Sequence, residues 1–542
     1  MDNIKDTNGE RIVKTFEQMK GERTNWDNYW DMIAKFVIPK RDNVYGQRAQ
    51  GQVMEDYLFD NTSVHANELL ASALHGMLTN PSAVWFGLFL GVEEVDSVDA
   101  VRKWFQDTVH RVIYVLNNSN FQTEVHEYYL DIGSIGTSVF RVEEDEANIV
   151  RFHCRPIYEH FVAENNLGII DTTYRSYEFT YKQMFEEFGE KPFAIDNHLA
   201  EKLRDRPMEK EKIIHAVEPR KLIDVTKAPV NINMPFSSAH VLHRTKMTLK
   251  ESGFLENPYI IGRWTKLSGE QYGRSPAMKA LADIKMLNAM MKVTLQAAQL
   301  AVAPPLQVPD DGVLLPLKWT PHAVNFFRAG TKDRIEPLQT AVRPELGLDI
   351  IENVRERIRQ AFFIDQLQLN EGPQMTATEV MQRTEEKLRL LGPILGRQNY
   401  EFLEPVIGRV LKIMIRRGLL LPMPSELVTA LSKNAGKIQI RYTSQIAKAQ
   451  RTTEADNFTR LLNVVAPIFQ ITPDMVDNID TDVLIRKLGD VFDVHHTIIR
   501  DKRDVEGMRN ERAKQQQAQQ ALEQGNMASQ MYKNVQSKQG VM

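Results

Sequence analysis

The chain has 542 residues, 42% of them hydrophobic and 25% charged, with a formal net charge of −4. This length exceeds what one hydrophobic core organises and implies two to four domains, interleaved if the subunit is elongated. The composition is that of an ordinary soluble globular protein and lacks the basic excess of one that grips phosphate. The single cysteine, Cys154, excludes intramolecular disulfides and suits a reducing compartment; the polar opening MDNIKDTNGE is unlike a secretory signal, and no run of about 18 apolar residues offers a membrane span.

In chain order, residues 10–38 read as a helix whose face carries Ile12, Phe16, Met19, Trp26, Tyr29, Trp30, Ile33 and Val37, ended by Pro39-Lys40-Arg41. A polar loop over 42–60 leads to a second helix over 61–78, which starts at Asn61 or Thr62 and stops near Asn80-Pro81. A third, over 98–116, packs through Val101, Phe105, Val109, Val112, Ile113 and Leu116. The helix from Phe121 breaks at the two glycines of GSIGTSVFRVEE, where Val139, Phe140 and Val142 begin a strand. Short strands follow over 150–153 and 159–163, and Asn165-Asn166-Leu167-Gly168 turns a hairpin back through 169–179. Thr180 caps a short helix closed by Gly189, and the charged stretch 189–210 reads as one surface helix. Strands over 213–225 and 240–253 complete an α+β region.

The next stretch organises the remainder. Tyr259-Ile260-Ile261 form a strand, Gly262, Gly269 and Gly273 punctuate a loop, and Ser275-Pro276 supply an N-cap and a proline that fits the first helical position. Leu281, Ile284, Leu287, Met291, Leu295, Ala298 and Val302 then give one apolar stripe along the whole helix, which stops at Pro304-Pro305. Leu306-Gln307-Val308 and 313–317 read as strands around a Pro309-Asp310-Asp311-Gly312 turn, with Trp319, Phe326 and Phe327 adding apolar weight. Pro344-Glu345 open a second long helix with Leu346, Ile350, Val354, Ile358 and Phe362 on one face. At 1.5 Å per residue the two helices measure about 40 and about 28 Å. Thr376-Ala377-Thr378-Glu379 is a capping box, and the helix it opens is predicted to kink where Gly392-Pro393 and Pro405 interrupt it before Arg417. A strand over 437–442 and helices over 445–466 and 480–489 follow; 498–542 turns glutamine-rich and is either disordered or a helix supported by neighbouring copies. The fold class is α+β, predominantly helical.

The familiar catalytic patterns do not fit. Gly269 and Gly273 before Arg274-Ser275 are a residue short of a phosphate-binding loop and place arginine where lysine is needed. His126-Glu127 lacks a second histidine four residues after the first, and His153-Cys154 and His495-His496 lack nearby partners. Gly133-Ser134-Ile135-Gly136 has the wrong spacing for a nucleophile elbow. Glu143-Glu144-Asp145-Glu146 reads as a solvated acidic turn, with divalent-ion binding as the lesser reading. No catalytic residue, cofactor or metal site is expected.

Two long runs, GRWTKLSGEQYGRSPAMKALADIKMLN and EGPQMTATEVMQRTEEKLRLLGPILGR, resemble the head-to-tail connector, or portal protein, of short-tailed bacteriophages. LLASALHGMLTNPSAVWFGL and YRSYEFTYKQMFEEFG extend the resemblance through most of the chain up to about Arg451. It implies a non-enzymatic homo-oligomer, usually a ring of twelve at one capsid vertex, through which double-stranded DNA is packaged and ejected. It also implies partners: major capsid and scaffolding proteins, the terminase that supplies the energy, and tail adaptors. The place is the virion, after assembly in the host cytoplasm, without stable membrane association. On the family's order of elements, 1–274 is a helical amino terminus and α+β wing, 275–303 and 344–364 are stem helices around a clip at 304–343, and 365–375 is a tunnel loop. A kinked spine helix and return strand then occupy 376–445, a crown 446–497, and a helical barrel or disordered tail 498–542. Gln366, Gln368, Asn370, Glu371, Gln374 and Met375 would face the channel on a loop without lysine or arginine, hence weakly adhesive to phosphate; a surface loop without that role is the other reading. Two alternatives for the whole chain stay open at this point. One is a metal-dependent nucleic-acid enzyme using carboxylates such as Asp310, Asp311 and Glu371; the other is a non-portal structural protein of the virion or tail.

Overall fold

The computed structural model describes residues 7–39, 58–96, 98–221, 223, 233–302, 306–307, 336–337, 344–367, 391–433, 436–442, 461, 480–491, 500 and 502–539. The Asp310 and Thr376 regions, the 313–317 strand, nearly all of the 445–466 helix and His495-His496 lie outside them. The chain forms two compact units, one from Met1–Pro81 and Val115–Arg417, the other from Ser82–Tyr114 and Gly418–Met542.

In the first unit, α1 (Thr7–Val37) lies against a five-stranded antiparallel sheet of β4 (His160–Glu164), β5 (Ile170–Thr180), β6 (Lys210–Pro219), β7 (Phe236–Leu242) and β8 (Thr248–Phe254), ordered as in sequence. Strand alternation sorts the two faces. Phe161, Tyr174, Ile214, Ala216 and Val241 meet Ile12, Val13 and Phe16 of α1. Their sequence neighbours Ile213 and Leu242 point the other way, with Tyr181, Met184, Phe193 and Leu199 of three short helices, α6 (Tyr181–Phe188), α7 (Lys191–Ile195) and α8 (Asn197–Asp205). Thr180 and Gln183 make a reciprocal capping box on α6. The single helix expected over 189–210 is two, because Asp196 leaves helical geometry to cap α8. The region expected as one strand over 240–253 is likewise two, β7 and β8, joined by a turn in which Lys246 has φ +58°.

A second, three-stranded sheet orders β3 (Ile149–Arg155), β2 (Thr137–Asp145) and β9 (Tyr259–Arg263), with α5 (Phe121–Ser134) packed on it. Beyond β9 come the long helices α9 (Pro276–Val302) and α10 (Pro344–Ala361), which pack side by side; α2 (Thr62–Leu78) also packs against α10. Between the long helices, β10 (Leu306–Gln307) pairs antiparallel with β11 (Glu336–Pro337), which joins the two ends of the intervening segment. Two details differ from expectation. Ile350 is 53% exposed and Ile351 carries the buried stripe with Val354, Ile358 and Phe362, because the helical period starting from Phe362 reaches 351 through steps of four, four and three. On α9 the stripe is buried only through Leu281, Ile284 and Leu287; Leu295 and Val302 are exposed. Residues 391–398 are helical, Asn399–Leu403 form a π turn, and α12 (Glu404–Arg416) continues. The irregularity falls just ahead of Pro405, whose missing N–H removes an ordinary helical bond.

The second unit pairs β1 (Phe86–Phe89), a strand not expected from sequence, with β12 (Gln439–Tyr442). A short helix, α3 (Glu93–Asp96), was also not expected; Asp96 accepts from the backbone N–H groups of Leu90 and Gly91. From α4 (Asp99–Asn118), Trp104 Nε1 donates to Leu421 O at 2.9 Å, ahead of α13 (Ser425–Ser432). Asp99 pairs with Arg486 of α14 (Thr481–Val491), and Asp482 pairs with Arg509 of α15 (Lys502–Gln539). The glutamine-rich tail is thus one helix of 38 residues, about 57 Å long at 1.5 Å per residue.

Candidate functional site

The long helices spring from a junction at the end of β9, and its residues are packed as a clamp. Gly136 ends α5 with φ +85°, and its carbonyl accepts the Trp264 N–H at 2.9 Å. Gly273 approaches so closely that a Cβ there would stand 2.3 Å from Gly136 O, and its N–H donates to Thr137 Oγ1 at 2.8 Å. Thr265 and Arg274 bond each other across the intervening loop, and Arg274 pairs with Glu270. Ser275 then does two jobs. Its hydroxyl donates to Ser134 O at 2.6 Å and accepts the Met278 N–H at 3.0 Å, so the N-cap that starts α9 also ties it to α5.

Arg263 is the centre of the clamp. Its side chain is 4% exposed and holds Glu401 through Nη2 at 2.9 Å and Nε at 3.1 Å, while Nη1 holds Glu164. Lys266 also bonds Glu164, and Arg397 bonds Glu401 at 2.9 Å. Burial works against ionisation of Glu164, but hydrogen bonds from Lys266 and Arg263 outweigh it and lower its pKa. Gln398, fully buried, donates to Arg263 O at 2.8 Å and accepts from Tyr128 Oη at 2.7 Å; the Tyr128 ring stacks on Phe402 at 3.6 Å.

The same junction holds the residues that lead into the expected channel-facing stretch. Phe363, with φ +60°, ends α10 against Trp264, their ring centroids 6.1 Å apart, and its carbonyl accepts the N–H groups of Gln366 and Leu367. Gln366 lies in the short helix α11 (Ile364–Leu367), half-buried, its Oε1 enclosed and without a partner among the described residues. Gln368, Asn370, Glu371, Gln374 and Met375 lie outside the described residues. The chain is described again from Leu391, on the helical stretch whose Gln398 and Glu401 grip Arg263.

Two of the motifs weighed for catalysis have structural roles here. Gly269 sits at φ +83° in the loop that Thr265 and Arg274 close. Glu143, Glu144 and Asp145 lie on β2 rather than in the expected acidic turn, and each pairs with an arginine: Glu143 with Arg141, Glu144 with Arg416 and Asp145 with Arg151. Among the described residues no three His, Cys, Asp or Glu side chains converge as a metal site requires, and no helix is long and apolar enough to cross a membrane. Sequence reading missed Glu164, Arg263, Gln398 and Glu401. The one local signal was an arginine closing the otherwise apolar YIIGR strand; its carboxylate partners are remote in sequence.

Fold and clamp together define a helix-rich α+β subunit whose long helix pair is fastened at one end to a sheet. The chain belongs to the bacteriophage head to tail connecting protein family, whose model it matches over residues 10–499. It is similar to a probable portal protein of Bordetella phage BPP-1, 30% identical over 521 residues, which span 94% of this chain and 91% of the relative. A portal protein of Salmonella phage epsilon15 is 28% identical over 539 residues, 97% of this chain and 95% of the relative. The portal protein of Enterobacteria phage T3 matches over 173 residues at 22% identity, 32% of each chain. The family read from the two long motifs is therefore the family of the whole chain, and it favours neither alternative.

Proposed function

We propose that the chain is the subunit of a portal ring, most simply of twelve copies, that forms the conduit for double-stranded DNA at one capsid vertex. The role is geometric and non-enzymatic, with no cofactor: the terminase supplies the energy, and the ring supplies the passage. In this reading α9 and α10 are the stem, the segment between them is the clip that docks the terminase and later the tail adaptors, and the two sheets of the first unit belong to the wing held by capsid and scaffolding proteins. The segment 365–375 lines the channel, 376–445 is the spine, 446–497 the crown, and α15 lies in a barrel formed with neighbouring copies. The ring is built in the host cytoplasm and ends in the virion, without stable membrane association.

The observation that carries this reading is the apolar surface left on the long helices. Val293 is 62% exposed, Val302 86% and Leu348 55%, and exposed apolar surface concentrated on one element marks an interaction face. In a family of head-to-tail connectors the partner is another copy. Negative-stain microscopy and native mass spectrometry of the purified chain test it. Closed rings with a central hole are expected, and a chain that stays monomeric at high concentration overturns the reading.

A further inference from the structure

The two sheets of the first unit meet across a layer of basic side chains. In the five-stranded sheet His160, Arg175, His215, His240 and Lys250 stand level with one another, one per strand from β4 to β8. In the three-stranded sheet Arg141 is level with His153 and Tyr259, and Arg155 projects from the same face of β3 as His153. Tyr259 joins the two layers. Its hydroxyl lies 2.9 Å from His215 Nδ1, and its ring centroid is 5.4 Å from that of His160 and 5.4 Å from the Arg141 guanidinium carbon.

Few acids meet this layer. Glu143 pairs with Arg141 and lies 3.5 Å from His153, Glu159 pairs with Arg175 at 2.9 Å, and Lys250, on the edge strand, takes Glu187 at 3.4 Å. Arg155 is left over. It is half-buried, yet it has no hydrogen bond or ion pair among the described residues, and its Nε, like that of Arg141, is enclosed without a partner there. Nε2 of the fully buried His160 is enclosed in the same way. Burial lowers the Arg155 pKa and Arg175 lowers it further; burial, Arg175, Arg155 and Arg141 all act against protonation of His160. With the histidines neutral, the three arginines face two carboxylates, and one positive charge stays uncompensated in a half-buried place. That arrangement is costly unless a counter-ion completes it. A guanidinium presents its N–H groups as a fork that fits two oxygens of an oxyanion. We propose that the layer between the two sheets at Arg155 is a binding site for a small oxyanion of the inorganic phosphate class, held by Arg155 with Arg175 and Arg141 beside it. The site suits an ion rather than a nucleic-acid backbone, because the flanking Arg175 and Arg141 side chains are only 10% and 16% exposed. Arg175 belongs to one sheet and Arg155 to the other, so the ion ties the sheets together. All three arginines come from one copy, which makes the site independent of the ring reading.

Isothermal titration calorimetry of the full-length chain with sodium phosphate at neutral pH, against sodium chloride of equal ionic strength, tests the site. One saturable site per chain is expected for phosphate and none for chloride. Arg155→Gln should weaken phosphate binding by about tenfold or more, whereas Arg204→Met, which alters an exposed arginine elsewhere, should leave it unchanged. Melting temperature gives a second reading. Phosphate should raise that of the unmodified chain along the same saturation curve. Arg155→Gln should lose this rise and, in phosphate-free buffer, melt no lower than the unmodified chain, because it removes an uncompensated charge. An arginine needed only for packing gives the reverse, a lower melting temperature and an unchanged response to phosphate. If Arg155→Gln does not fold, Arg155→Lys, which keeps the charge but not the fork, takes its place and should also bind phosphate more weakly. A melting temperature that rises without saturating, equally in every variant, is the general effect of phosphate on protein surfaces and counts against the site. No saturable binding to the unmodified chain, or equal binding by the Arg155 variants, overturns the proposal.

Discussion

At the scale of single residues, two features of the first unit carry predictions. Gly262 lies where β9 crosses Tyr128, and a Cβ built there stands 1.7 Å from the Tyr128 hydroxyl. That ring cannot retreat readily, since Phe402 stacks on it and Gln398 binds its hydroxyl. Gly262→Ala should therefore destabilise the chain by about 3 kcal/mol, at the upper end of overpacking costs, seen as a lower denaturant midpoint with an unchanged slope. The second feature is a layer of histidines. His160 and His215 are buried, and the His215 and His240 rings stack 4.0 Å apart. His215 bonds Tyr259 Oη and Ser238 Oγ, both at 2.9 Å, and His240 Nδ1 bonds Tyr177 Oη at 3.0 Å; none of these partners is a carboxylate. Burial first, then nearby cations such as Arg175 for His160 and Arg141 for His240, lowers all three pKa values, that of His240 to about 3. A depressed folded-state value means the unfolded chain takes up protons first. Stability is therefore complete above about pH 6.5, the ordinary histidine value, and is lost as pH falls from there toward the folded values. Each histidine contributes about 1.4 kcal/mol per pH unit inside that window. The melting temperature should drop between pH 7 and pH 5, and His240→Gln should flatten that slope; an unchanged slope would refute the assignment.

Elements were legible in the sequence where the signal was local. Ser275-Pro276 announces the start of α9, and the structure adds the second bond, from Ser275 to Ser134 O, that no local pattern contains. Ser275→Ala loses both bonds, and a drop of about 2 kcal/mol is expected, or several degrees in melting temperature; Ser275→Thr, which keeps the hydroxyl, should recover much of it. Thr180, Gly189 and the hairpin at Asn165-Asn166-Leu167-Gly168 were equally plain, because capping and turn chemistry act within a few residues. Other features needed tertiary information. Steps of four from Phe362 lead back to Ile350, but a helix turns 3.6 residues at a time, and over three turns the drift moves the buried position to Ile351. Phe86–Phe89 reads as part of an apolar run until Gln439–Tyr442 supplies its pairing partner. The clamp was the least visible, since Arg263, Glu164 and Glu401 meet only when β9, β4 and the π turn are in place. Its energetics can be tested alone. Arg263→Met leaves two partly buried carboxylates without their main counter-charge and should cost about 3 kcal/mol or more, whereas Arg204→Met, which breaks a pair with side chains 78% and 60% exposed, should cost almost nothing.

For the whole molecule, the net charge of −4 is what a soluble chain commonly has, and it also suits a conduit. A genome that must slide through a ring is hindered by every phosphate contact that has to be broken, and each neutralised phosphate contributes about 0.9 to the slope of log affinity against log salt. A passage lined by amides keeps that slope small. Replacing Gln366, Gln368, Asn370 and Gln374 with lysine adds four positive charges per copy, multiplied around a ring. On the conduit reading, DNA packaging or ejection should slow by about tenfold or more at low salt and recover as salt rises toward 200 mM, where counterion release drives binding less strongly. Gln366 has an enclosed Oε1, so lysine there also disturbs packing beside Phe363; the triple variant that leaves it intact separates adhesion from damage. Glutamate at the same three positions should not slow transit. If the lysine ring passes DNA at the unmodified rate in low salt, 365–375 does not line the narrow part of the passage, and weak adhesion there is not what lets the genome through.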